Sequence, residues 1–223
     1  MPIVEDQTSV SEPLHAVEPS YPLFEFALTG VLLFFVVTGI RWFVAPSSPF
    51  APEGTDRAIA VVATLTGMVL LLPCGESMGR RSGGHMNPAV SVALWLMGVF
   101  PGAAVVPYML AQLAGSVAGT ALAYLVWGGV VTQPPVEFAV VHAATNWRAP
   151  DVFVAEVACL IVVTLLVGFF LAHPAAAARL PVTLASATVV IVAVLGPRSG
   201  GSTNPARAFG PALLVGDFGN LAV

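Results

Sequence analysis

Lysine is absent from this 223-residue chain, and its eight basic residues, all arginine, are scattered with no run among them. That removes the basic face a nucleic acid needs, so no nucleic-acid partner is expected. Charge of either sign is scarce, at 9% of the residues. Cysteine is nearly missing as well. Cys74 and Cys159 match neither a metal-ligand spacing nor a disulfide framework, and both are read as buried packing thiols, the usual place of a free cysteine. No grouping of nucleophile, base and metal-binding side chains stands out, which argues against an enzyme and gives no reason to expect a metal or a cofactor. What fills the chain is apolar: 57% hydrophobic residues and a mean hydropathy of +0.89. A soluble domain does not have that composition; a chain that crosses a lipid bilayer several times does.

The apolar residues fall into segments. Residues 1–20 carry Glu5, Asp6, Glu12 and Glu18, no basic residue and three prolines. They read as a disordered polar tail, and without a basic leader region they are not a secretory signal. Residues 21–44 are long enough to cross a hydrocarbon core of ~30 Å, despite Glu25 and Arg41. A proline-rich loop over 45–56 leads to a second span over 57–78. The run 90–99 is different, because at ~1.5 Å per residue it covers only about half a bilayer. A third span follows over 103–127, with Gly115 and Gly119 in the G-x-x-x-G spacing that lets helix backbones approach. After a connecting loop come spans over 152–171 and 180–195 and a second half-helix over 205–215. The fold class is therefore an all-α membrane protein with two re-entrant half-helices. Its parts are a tail (1–20), a first repeat (21–128), a connecting loop (129–151) and a second repeat (152–223). The second repeat has no counterpart of the 103–127 span, so on symmetry the sequence is expected to lack a sixth helix and to be completed by about 20 further apolar residues.

The strongest signal is a phrase that occurs twice: Ser82-Gly83-Gly84-His85-Met86-Asn87-Pro88-Ala89 and Ser199-Gly200-Gly201-Ser202-Thr203-Asn204-Pro205-Ala206. Asparagine caps a helix well, and proline suits the first helical position, where its missing N–H would have no partner anyway. Each phrase thus predicts a loop that turns into a helix inside apolar surroundings. Within a membrane such a break is tolerated only where the freed backbone is buried in protein or lines a wet cavity. Paired breaks in corresponding halves point to a transport site.

With Arg207 directly after the second phrase, a glutamate near the start of each half and Ala111-Gln112 in the third span, the chain closely resembles the aquaporin or major intrinsic protein family over residues 21–215. The resemblance implies an inverted-repeat fold in the plasma (inner) membrane, a homotetramer with one pore per subunit, and passage of water or small uncharged solutes such as glycerol, urea or metalloid acids. Protons and ions would be excluded. It places Asn87, Pro88, Ala89, Asn204, Pro205 and Ala206 at the pore midplane and Arg207 in the narrowest constriction. Family spacing adds Gly67, twenty residues before Asn87, with Val192 and Gly201, twelve and three before Asn204. Water-selective members usually have Phe and His at the first two of these positions, and glycerol facilitators have aromatic walls. The small set here implies a wide, weakly polar opening, most like silicic-acid channels. The assignment at Gly67 can slip by one residue to Thr66 or Met68, which flank it, and the alternative for Gly67 and Gly201 is that they are packing or turn glycines. Ala208 stands where glycerol-type members usually have aspartate, which argues against a typical glycerol facilitator. In the family, residues matching Glu25 and Glu156 accept hydrogen bonds from the re-entrant loops, the alternative being proton relays; His85 is likewise read as a loop brace, with a pH switch as its alternative.

Other readings stay open at this level. Asn87 and Asn204 could be helix caps and nothing more. A coupled transporter could also use broken helices, although no unpaired carboxylate pair is evident near the motifs. A non-conducting adhesive or scaffolding membrane protein is a third reading. Charge does not fix the orientation: with the tail inside, Arg80, Arg81 and Arg179 would be inside too, but Arg41, Arg57, Arg148 and Arg198 would lie toward the outer edge.

Overall fold

The computed structural model describes residues 17–75 and 77–219, and among these every side chain outside 72–77. Most of the polar tail and the side chain of Cys74 therefore lie outside the described residues. All regular structure among the described residues is helical: α1 (Tyr21–Phe43), α2 (Thr55–Gly75), α3 (Ser77–Ser82), α4 (Pro88–Leu96), α5 (Gly102–Trp127), α6 (Ala149–Ala172), α7 (Leu180–Leu195) and α8 (Pro205–Val215). Among the described residues four stretches are long and apolar enough to cross a membrane: α1, α5 with the turn that follows it, α6, and Pro174–Leu195. α2 begins with the charged pair Asp56 and Arg57 and lies along α7.

The expected second span, 57–78, is helical on both sides of residue 76, which lies outside the described residues, and α3 leads into the first glycine loop. The connecting segment differs from an open loop. It forms 3-10 turns at Gly128–Thr132 and Glu137–Ala139 and folds inward, burying Val131, Val136, Phe138, Ala139 and Val141.

The frame is set by α1 against α5. A Cβ at Gly115 would lie 2.3 Å from the Phe26 carbonyl oxygen, and one at Gly119 2.0 Å from that of Gly30. Only glycine permits backbones to meet so closely, and the seam between them buries Thr29, Gln112, Ser116 and Thr120 completely. α6 and α7 are the opposite case, with 11% of their spanning windows buried against 44% for α1. Their outward side chains, among them Val154, Ile161 and Leu165, are exposed and suit a lipid environment. One thiol goes with them. Contrary to the expectation of two buried cysteines, Cys159 on α6 is partly exposed. α6 is apolar all round, so its sequence does not mark which face turns inward.

Candidate functional site

Each repeat opens with a glutamate that organises its glycine loop. Glu25 is fully buried and accepts hydrogen bonds from Ser82 Oγ at 2.7 Å, the His85 and Met86 backbone N–H groups at 3.0 and 2.7 Å, and Gln112 Nε2 at 2.9 Å. Glu156 accepts from Ser199 Oγ at 2.6 Å and from the Ser202 and Thr203 N–H groups at 3.2 and 2.6 Å. These bonds supply partners to loop donors that neither lipid nor a helix ladder could satisfy. His85 packs its ring between those of Phe100 and Tyr108, with centroids 4.8 and 5.2 Å away, and sets Nδ1 3.0 Å from Ser91 Oγ.

The two loops end in caps. Asn87 Oδ1 accepts from the Ala89 N–H at 2.9 Å, and Asn204 Oδ1 from those of Ala206 and Arg207 at 3.0 and 3.3 Å. The caps are also joined to each other's loops: Asn87 Nδ2 donates to the Thr203 carbonyl and Asn204 Nδ2 to the Met86 carbonyl, both at 2.9 Å. The N-termini of α4 and α8 therefore meet tip to tip. Met86 and Thr203 adopt left-handed φ values of 47° and 44°, unusual for any residue with a Cβ and most of all for a β-branched one. That conformation turns their carbonyls toward the opposite loop. An amide nitrogen carries a second N–H, so each asparagine keeps a donor beyond the one used in this bridge.

The asparagines line a cavity of ≈ 800 Å³ that also takes in His85, Val192, Gly200, Gly201, Ser202, Thr203 and Arg207. No described lining residue is a carboxylate. Two helix N-termini, each worth roughly +0.5 elementary charge, and Arg207 make the passage electropositive, so it opposes cations. Arg207 is held from a segment that sequence reasoning missed. Its Nη1 donates to the Ala139 carbonyl at 2.7 Å. Glu137, Phe138 and Ala139 all lie in the left-handed region, at φ 37°, 54° and 64°; three consecutive non-glycine residues there leave no mark in composition or spacing.

Gly67 is the position the structure corrects. It is absent from the cavity wall and buried against α7, where a Cβ would come within 2.5 Å of Val189 Cγ2 and 3.1 Å of the Ala185 carbonyl oxygen. The packing-glycine alternative applies. α2 instead turns Val62, Thr66 and Leu70 toward the cavity, a set spaced by four residues as one helix face requires. Thr66, to which a slip of one residue in the count back from Asn87 moves the assignment, is on that face. Gly67→Ala is accordingly expected to lower stability by about 1–3 kcal/mol through overpacking, measured by thermal unfolding in detergent, whereas Thr66→Trp should leave the melting temperature nearly unchanged and reduce solute flux.

The sequence profile described as major intrinsic protein matches residues 21–223. The chain belongs to that family. Among curated relatives, it is 29% identical to the propanediol uptake facilitator of Salmonella typhimurium over 89% of this chain and 80% of that protein. It is 34% identical to aquaporin Z of Rhodopseudomonas palustris over 64% of this chain and 61% of that one. The crystal structure of the aquaglyceroporin from Plasmodium falciparum shares the fold, with a TM-score of 0.71 at 20% identity, covering 87% of this chain and 80% of that one. This major intrinsic protein is an integral, multi-pass membrane channel for water or small solutes, and not an enzyme.

Proposed function

We propose that this major intrinsic protein passes small uncharged solutes bulkier than water, short linear diols and triols foremost, and excludes protons and ions. It would act as a homotetramer with one pore in each subunit. The observation that carries the reading is the two-sided lining of the cavity. One side presents Asn87, Asn204, Arg207 and the 200–203 loop, whereas the other presents Val62, Val192, Leu184 and Val167, with Thr66 as its small polar member. A polyol has the matching shape, with hydroxyls along one edge and C–H groups along the other. Among the described lining residues the one aromatic carbocycle is Phe100, contributed from the far end of the first half-helix, so no described ring narrows the α2 and α7 walls.

In this reading Arg207, Val192 and Gly201 form the constriction with Val62 and Thr66 in place of Gly67. The likeness to silicic-acid channels loses one of its four positions, and similarity to propanediol uptake facilitators supports diols ahead of metalloid acids. Ala208 remains a departure from the glycerol-type pattern. Glu25, Glu156 and His85 act by bracing the loops.

Stopped-flow light scattering on proteoliposomes tests the proposal with 1,2-propanediol, glycerol, urea and boric acid as osmolytes. Propanediol and glycerol permeabilities should exceed those of protein-free vesicles severalfold. Water flux with no flux of any of the four solutes would overturn the reading, and cross-linking that stops at dimer would overturn the tetramer.

A further inference from the structure

The inward-folded connecting segment carries a histidine that the channel reading does not use. His142 sets Nε2 3.3 Å from Glu137 Oε2 and Nδ1 3.8 Å from Asp217 Oδ2, with the three side chains a third to a half exposed. A neutral imidazole has one N–H and one lone pair, so in that state one ring nitrogen would turn a lone pair toward a carboxylate oxygen. Imidazolium, with a donor on each nitrogen, fits both. The anchors on either side matter. Glu137 begins the left-handed run that ends at Ala139, whose carbonyl holds Arg207. Asp217 follows Gly216, the C-cap of α8, which carries Arg207 in its first turn.

We propose that His142 is a positioning residue for the constriction: in its protonated form it clamps the segment bearing the Ala139 carbonyl to the end of α8, and thereby fixes the Arg207 guanidinium at the pore wall. The inference rests on the reading of Arg207 as part of the constriction. Of the other charged groups on the elements packed against this segment, Arg207 donates to Ala139, the Arg198 guanidinium to the Val194 carbonyl of its own helix, Glu25 of α1 accepts from the first loop, and Arg41 at the end of α1 lies over the Trp42 ring with Nε and Nη1 buried and without hydrogen-bond partners among the described residues. The Arg198 backbone carbonyl holds the Ala144 N–H at 2.7 Å, which ties down the segment beyond His142. Asp217 spends its other oxygen on the Gly219 N–H, so Oδ2 is free to face the ring.

Loss of the proton removes both charged contacts. The three left-handed residues are then held by packing and by local backbone bonds such as Ala139 N–H to the Val136 carbonyl at 2.6 Å, against about 1–2 kcal/mol of left-handed strain for each residue with a Cβ. The carbonyl relaxes, and Arg207 exchanges its fixed partner for groups across the lumen. A guanidinium in the lumen obstructs a polyol more than it obstructs water. The polyol-to-water permeability ratio is therefore lower in a channel whose His142 is neutral than in one whose His142 carries the proton. Because the side chains are partly exposed, a change of about twofold to threefold is the scale to look for.

The test measures glycerol and water permeability of the full chain in proteoliposomes at pH 5.5 and pH 8. Wild type should give the higher ratio at pH 5.5. His142→Asn should give the lower ratio at both values, and His142→Lys, with a permanent charge, the higher ratio at both. Glu137→Gln and Asp217→Asn should each weaken the pH dependence. A wild-type ratio that does not change with pH would overturn the clamp, as would wild-type pH dependence surviving in His142→Asn, which would assign it to another histidine. A His142→Lys channel that still switches would overturn it too. Those results leave the channel reading intact, whereas absence of glycerol flux at either pH counts against that reading itself.

Discussion

Glu25→Leu is expected to abolish accumulation of folded channel. The leucine is close in volume and more apolar, so burial alone would favour it. What decides the outcome is the set of donors left behind: Ser82 Oγ, the His85 and Met86 N–H groups and Gln112 Nε2 all donate to this one carboxylate. Each buried donor stripped of its acceptor costs about 1–3 kcal/mol, and together they rival a typical total stability of about 5–15 kcal/mol. Glu156→Leu should be milder, since three donors converge there and the site is less buried. Size-exclusion profiles and thermal unfolding in detergent would read both. A Glu25→Leu protein that runs as one species and melts with wild type would show that the carboxylate does not hold the loop.

Arg207→Val should admit protons and small cations. The substitution removes the positive side chain of the cavity wall and of the proposed constriction and leaves the Ala139 carbonyl without its donor, an exposed negative dipole where a cation would pass. The field of the two half-helices remains, at roughly half an elementary charge each, so the leak should be severalfold rather than unlimited. Asn87→Ala should act in the other order. It removes a cap, at about 0.5–2 kcal/mol, and a lumen-facing donor, so neutral flux should fall more than ion conductance rises. Proton entry into vesicles loaded with a pH-sensitive dye separates the two. Unchanged proton entry in the Arg207 variant would place the barrier elsewhere.

Much of the architecture was legible because membrane segments carry their own measure. α1, α5, α6 and α7 begin and end close to where apolar length and flanking prolines put them, and the caps of α4 and α8 follow from asparagine before proline. The glutamate braces also fall where the resemblance puts them. What failed did so for physical reasons. Gly67 was placed by a count along the chain, and a slip of one residue in such a count moves the choice to Thr66, which shares a helix face with Val62 and Leu70. The Ala139 carbonyl was invisible because a backbone oxygen belongs to every residue alike, and only the conformation of residues 137–139 aims it. Cys159 is less buried than expected because nothing in a uniformly apolar helix marks which face turns inward.

The paired bridges from Asn87 to the Thr203 carbonyl and from Asn204 to the Met86 carbonyl decide what sort of machine this can be. A pump or exchanger works by letting its two halves rock apart, showing its cargo first to one side of the membrane and then to the other. Here the halves are bolted at their tips, and to rock them would tear out the floor on which the cargo rests. The channel therefore performs no work and has no preferred direction. It lets a cell equilibrate faster with its surroundings, and whichever side consumes the solute sets the current.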